Sequence, residues 1–285
     1  MTAGTKRVGA TFWLLDAPDS LEVQSRRNVD GSGIGFFDPA GQPVLDKQPE
    51  AAFATAEFIG QAKQATSTIF VAHVRWATVG GRSTANTQPF AMRGRIMAHN
   101  GGFGEIARLD AQLGPYRELV RGQTDSERYF ALITQQIDGH GGDVGAGITA
   151  AARWIASRLP VSSLNVILAT PGHLWALRYP EVHALHIIER PAGDSVLASS
   201  ATRPTATPGL HVRSTTSVIH APDLHAVPTV VIASEELDGE RGWRMLAPGE
   251  LICVRSDLTV SSAVVLDDPP VRPMTPIGQN PNIDS

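Results

Sequence analysis

The sequence predicts an α+β fold in one domain. Three observations point there: a length of 285 residues, many short strand-like runs, and only a few helical ones. The candidate strands are Gly33–Phe37, Thr68–Val74, Ile96–His99, Asn165–Ala169, Leu174–Arg178, Ala184–Glu189, Thr229–Ala233 and Leu251–Val254. Most are rich in Val, Ile and Leu and are bounded by Gly, Pro or Asp, residues that end a strand. The candidate helices are Ala52–Gln64, Ser126–Gln136 and Ala146–Ser157, each with apolar residues three and four apart, such as Ile148, Ala151, Ala152 and Ile155. Thr124 and Asp125 can cap the second helix, and Glu127 suits the positive end of its dipole. The glycine-dense stretch Asp138–Gly145 reads as a surface connection. It has neither the Gly-Lys-Ser/Thr ending of a phosphate loop nor a dinucleotide fingerprint. Five prolines between Asp267 and Ser285 predict a disordered tail after a domain at 1–266.

Composition excludes several classes. With 24 basic and 28 acidic residues the net charge is -4, which gives no electrostatic footprint for nucleic acid or an anionic membrane. No apolar run approaches the roughly 18 residues of a membrane span, and the first residues lack a secretory pattern. A cytoplasmic protein with a small-molecule partner is the expectation. The single cysteine, Cys253, forms no internal disulfide and no multi-cysteine zinc site, and its strand-like setting predicts a buried structural role. No metal site and no cofactor are expected.

The chemistry concentrates between His73 and Glu127. A strand ending in Arg75 and Trp76 puts a guanidinium fork beside an aromatic wall, a seat for a carboxylate; a surface ion pair is the plainer reading. At His99-Asn100-Gly101 a side-chain amide and a backbone N–H could converge on a developing oxyanion, or simply form a tight turn. Asp125 could cap its helix or receive an ammonium group. Taken together, Arg75 for a carboxylate, Asp125 for an amine, and Asn100 with Gly101 for an oxyanion describe an amino-acid substrate undergoing acyl transfer.

In their order these motifs resemble the class II glutamine amidotransferases. Val29–Phe37, His73–Thr78, Asn86–Phe90, His99–Gly101, Thr124–Glu127 and Val231–Glu235 with Trp243 carry the resemblance, which covers about residues 8–266. It is nearest to the stand-alone, single-domain members, some of which are amidohydrolases that trim a γ-glutamyl group, as in ergothioneine synthesis. The resemblance implies a four-layer αββα N-terminal-nucleophile sandwich acting on glutamine or a γ-glutamyl amide. It also implies that Arg75 and Asp125 hold the α-carboxylate and α-amine, that Asn100 and Gly101 form the oxyanion hole, and that Trp76 and Thr78 line the pocket. A separate synthase that takes up the released ammonia is a possible partner. Gln88 stands where related chains often carry histidine.

The family's nucleophile is an N-terminal cysteine, whose own α-amine serves as base. Here residue 2 is Thr, and the residues before Gly9 are small or polar, so the expectation is a start short by about one strand length. Three readings follow: a native N-terminus that bears the cysteine, an inactive γ-glutamyl-ligand-binding or subunit-interaction protein, or Thr2 as nucleophile. His183 and His186 fall on opposite faces of a strand-like run, which argues against shared metal ligation. His73 and His99 sit inside strands and are expected to support neighbouring loops. Ser200–Pro204 and Ser234–Glu236 could shape the far wall of the pocket or cap turns.

Overall fold

Alternation sends successive side chains of a strand to opposite faces. Where both faces of a sheet are apolar, each face needs a covering layer. Two such sheets meet in this computed structural model, which describes residues 2–192, 210–213, 218–221 and 227–275. In chain order the strands are β1 (Thr2–Gly9), β2 (Ser32–Phe37), β3 (Pro43–Gln48), β4 (Thr66–Val74), β5 (Phe90–Met92), β6 (Arg95–Phe103), β7 (Pro160–Thr170) and β8 (His173–Leu177). They continue as β9 (His186–Arg190), β10 (Leu210–Arg213), β11 (Val218–Ala221), β12 (Thr229–Ala233), β13 (Arg244–Met245), β14 (Glu250–Arg255), β15 (Val260–Val264) and β16 (Arg272–Pro273). The helices are α1 (Leu21–Gln24), α2 (Ala56–Gln64), α3 (Ile106–Leu113), α4 (Asp125–Gly139) and α5 (Val144–Arg158).

The first sheet runs β13-β9-β12-β1-β4-β2-β3 and the second β15-β14-β8-β7-β6-β5, with antiparallel neighbours throughout. Ile69, Val71, Val230 and Ile232 of the first sheet meet Ile96, Ala98, Ala169 and Ala176 of the second in a core between the sheets. On the far side of the second sheet, Met97, Leu164, Val166 and Leu168 pack under α3, α4 and α5 through Leu109, Phe130, Ile133, Ile148 and Ile155. On the far side of the first, Ile34 and Phe70 pack against Leu14, Phe58 and Ala62, and Val231 against Phe12 and Trp13. The order of layers is therefore αββα, as the motif order implies.

Several expectations are refined. Thr2–Gly9 is a strand, at the centre of the first sheet between β12 and β4, where a missing strand was expected. Only Thr2–Gly4 pair with β12, and the pairing with β4 is interrupted between Ala3 and Val8, so the polar Thr5, Lys6 and Arg7 are exposed where the register shifts. The helix expected at Ala52–Gln64 breaks at Thr55 into a short turn and α2. The glycine-dense connection is shorter than it reads, since α4 extends to Gly139 and α5 starts at Val144. The proline-rich stretch packs as far as it is described. Val271 and Met274 donate main-chain N–H groups to Ala156 and Val161, and β16 lies parallel to β7. Residues 276–285 and Ser200–Pro204 lie outside the described residues. Cys253 is half-buried on β14 rather than buried, and burial pushes its thiol pKa up, which favours the protonated form.

Candidate active site

The core between the sheets ends where β4 and β6 run into loops, and a cleft of about 660 Å³ opens there. Val71 faces the inter-sheet core, so His73 two residues on takes the same face, and by the same alternation Asn100 follows Ala98. Both line the cleft, with Gly101, Arg75, Trp76, Thr78 and Asp125. All six sequence-designated site residues thus come together in one cavity.

The β6 end is held by its backbone. Gln88 pairs like a base with the main chain of His99: the His99 N–H donates to Oε1 at 2.7 Å, and Nε2 donates to the His99 carbonyl at 2.9 Å. The Gln88 amide thus satisfies two buried backbone groups. The Gln88 segment lies against β2, and a Cβ on Gly33 would stand 2.4 Å from the Gln88 carbonyl oxygen, so the glycine-rich strand is what lets this loop approach. The His99 ring turns to the helical side, with Nδ1 2.9 Å from the Ser126 hydroxyl and Nε2 3.2 Å from the Ser163 carbonyl. Gly101 has φ +147°, and a Cβ there would lie 2.1 Å from the Ser163 carbonyl oxygen. No other residue type fits. The Asn100 amide donates to the Ser234 hydroxyl at 3.3 Å, which fixes its plane and leaves its second N–H free of that bond.

Arg75 is 4% exposed, and it is not the surface ion pair that its local sequence suggests. Its guanidinium donates to the carbonyls of Val79, Gly80 and Gly81 at 2.9, 3.1 and 3.5 Å, bracing the loop that follows Trp76 and Thr78. Burial pulls its pKa down, while Asp30 and Asp125 favour its charge. Trp76 stands 46% exposed at the rim. Thr124, not Asp125, caps α4, accepting from the Glu127 N–H at 3.2 Å. Glu127 reaches back to the N–H groups of Arg121 and Gly122, so the turn before the helix is satisfied too. The buried Asp125 carboxylate sits by Gly102, where Oδ1 accepts from the Ser126 N–H at 2.9 Å and Oδ2 from the Phe103 N–H at 3.3 Å. It is the one carboxylate among the six designated residues.

Burial, with the neighbouring His99 and Arg75, holds the His73 pKa down at about 3, so this ring is neutral. Burial lowers His99 as well, with Asp125 opposing. The far wall comes from Ile232, Ala233, Ser234 and Glu235 at the end of β12, and from His183 and Leu185 before β9. Behind it, Arg190 bridges Asp238 and Glu240 at 2.6 Å each, and the Trp243 indole donates to Asp238 at 3.0 Å. Sequence reading missed the Arg190 anchor and the site position of His183. The Trp243 resemblance alone pointed toward the first. Among the described residues no cluster of three or more His, Cys, Asp or Glu could hold a metal.

Residues 20–270 match the family described as glutamine amidotransferases class-II. The chain belongs to this family. A γ-glutamyl-hercynylcysteine sulfoxide hydrolase of Mycolicibacterium smegmatis is 27% identical over 253 residues, covering 85% of this chain and 88% of that one. Its namesake in Mycobacterium tuberculosis is 32% identical over 203 residues, 68% of this chain and 80% of the other. A probable glutamine amidotransferase of Saccharomyces cerevisiae is 30% identical over 135 residues, and the match spans only 38% of that protein. Among solved structures, the glutamine phosphoribosylpyrophosphate amidotransferase of B. subtilis superposes with a TM-score of 0.63 at 17% identity, over 94% of this chain and 49% of that one. A class-II domain protein from Silicibacter pomeroyi gives 0.55 at 18% identity, over 83% of this chain and 92% of that one. These structural likenesses speak for the fold. They place the class II glutamine amidotransferase chain among proteins built on the same pair of sheets. No helix of its described residues is long and apolar enough to cross a membrane.

Proposed function

We propose that this amidotransferase-family chain hydrolyses a γ-glutamyl amide, either glutamine or a small conjugate. Arg75 would hold the α-carboxylate, Asp125 the α-ammonium, and Asn100 Nδ2 with the Gly101 N–H the oxyanion. Trp76 and Thr78 would line the pocket. The observation that carries the reading is the convergence of these groups in one cleft, together with the register of β1. Thr2 pairs with Val231 and Phe70, so a residue three positions before it would lie level with Ser234 and His73 of the cleft wall. A native N-terminus bearing a cysteine would thus deliver the thiol and its α-amine to the head of the central strand, beside Asn100. Attack on the γ-carbonyl forms a thioester and expels the amine, which takes a proton from the ammonium formed on the nucleophile's own α-amine; water then releases glutamate. Released ammonia could serve a separate synthase.

The test combines binding with the state of the terminus. L-Glutamate should raise the melting temperature, by mass action on the folded state. Arg75→Ala should abolish that rise, and Asp125→Asn should remove the preference for glutamate over its deamino analogue glutarate. Protein purified from its own host should start with cysteine and release glutamate from a γ-glutamyl amide. No stabilisation by glutamate overturns the γ-glutamyl seat. Stabilisation without turnover, in a protein starting at Met1 or Thr2 or lacking a terminal cysteine, leaves a noncatalytic γ-glutamyl-binding or subunit-interaction protein.

A further inference from the structure

The apolar rows that fill the core between the sheets end at the cleft, and they end on two polar side chains that meet. On β12, Val230 and Ile232 face the core, and Ser234, the first residue past the strand, continues that row. On β6, Ile96 and Ala98 face it from the other side, and Asn100 follows them. The Asn100 amide donates to the Ser234 hydroxyl at 3.3 Å, a bond from the second sheet to the first where the core opens into the cleft.

That bond bears on the candidate oxyanion hole. The terminal torsion of an asparagine is broad, so an amide held by nothing samples many orientations. Its two N–H bonds lie in one plane, and a partner for one of them fixes the direction of the other. Asn100 is exposed to the cleft, and Ser234 supplies such a partner.

Ser234 is itself held on both sides. The residue before it, Ala233, pairs with His186 in the ladder between β12 and β9. The residue after it, Glu235, bonds Arg27 at 2.8 Å; both side chains are about half exposed, so this pair adds little by itself. Leu237 is the stronger anchor. It is buried with Phe12 and Trp13, and its carbonyl accepts from the Asp19 N–H at 3.1 Å. The hydroxyl that receives the Asn100 amide is thus fixed by the first sheet, while the backbone of Asn100 is fixed in the second, beside the Gln88 clamp on His99.

We propose that Ser234 is a positioning residue of this site: it holds the Asn100 amide in the plane that turns its second N–H toward the γ-carbonyl oxygen of a bound γ-glutamyl group. The inference rests on the γ-glutamyl reading of the cleft. It gives one task to the Ser234–Glu236 segment, whose local sequence is equally suited to a pocket wall or a turn cap.

Calorimetric titration of the full chain with L-glutamate, whose γ-carboxylate would occupy the same place, tests it through a double-mutant cycle. Ser234→Ala removes the acceptor and should weaken glutamate about threefold to tenfold, the range set by the net worth of one hydrogen bond. In Asn100→Ala, which has no amide to orient, the same substitution should change the affinity by less than about twofold. Ser234→Thr keeps the hydroxyl and should stay within about twofold of the parent. A purely structural role for Ser234 gives an equal loss in both backgrounds, and that result overturns the inference. So does a Ser234→Ala affinity within about twofold of the parent, or a Ser234→Thr chain as weak as Ser234→Ala. These outcomes leave the parent reading standing where glutamate binds the unaltered chain and Arg75→Ala abolishes that binding. Failure of glutamate to bind the unaltered chain overturns both.

Discussion

The Gln88 clamp permits a quantitative prediction. Gln88 is 6% exposed and satisfies the N–H and the carbonyl of His99, both within the second sheet beside the candidate oxyanion hole. Gln88→Leu keeps roughly the same volume, so it opens no large cavity, but it leaves both backbone groups without their partner. Each buried group so stranded costs about 1–3 kcal/mol, giving a loss of roughly 2–6 kcal/mol in all. That is a large part of the roughly 5–15 kcal/mol that holds a domain folded. Gln88→Asn retains the amide but shortens its reach by one methylene, so it cannot hold both groups at 2.7 and 2.9 Å and should lose a comparable amount. Urea unfolding with linear extrapolation reads the difference, and an unchanged slope would show that the denatured state is unaffected. The glutamate-induced rise in melting temperature should shrink in parallel, because Asn100 and Gly101 follow His99 directly. Either variant unfolding within about 0.5 kcal/mol of the parent, the range of an ordinary surface change, would refute the clamp.

Three further outcomes are expected. Gly101→Ala puts a Cβ 2.1 Å from the Ser163 carbonyl oxygen, so β6 must separate from β7; loss of the cooperative thermal transition by circular dichroism is expected, and a parent-like transition would contradict the register. Because the His73 pKa falls from 6.5 to about 3 on folding, the unfolded chain binds the extra proton between those values. Stability should therefore fall as the pH drops through that window, by at most about 1.4 kcal/mol per unit for this group, and His73→Gln should flatten the profile measured by denaturation at each pH. Arg190→Leu leaves the fully buried Asp238 without its counter-ion at 2.6 Å and should cost about 3–5 kcal/mol, with Asp238→Asn added in the double variant recovering part of that loss.

The sequence by itself determined the local pieces. Strand segments such as Ile96–His99 and Thr229–Ala233, the cap residues of α4, and the adjacent pair Asn100–Gly101 are set by period, turn chemistry and immediate neighbours, all written within a few residues of chain. The family followed from several such strings in order, and the αββα layering with it. What the tertiary structure decided is whatever depends on partners remote in sequence. A run as polar as Thr2–Gly9 reads as no strand, yet its ends pair with β4 and its first three residues with β12, which makes it central. Arg75 reads as a surface ion pair, but loop carbonyls four to six residues on capture its guanidinium once the strand end is buried. Gln88 looks like a departure from the family pattern until the fold brings it against the backbone of His99, and His183 looks like a lone strand histidine until Asn165 and Arg178 turn its loop into the cleft. The physical reason is common to all four. Periodicity tells a residue which face of its own element it occupies, whereas its partners depend on which strands become neighbours, and that is settled only when the two sheets pack.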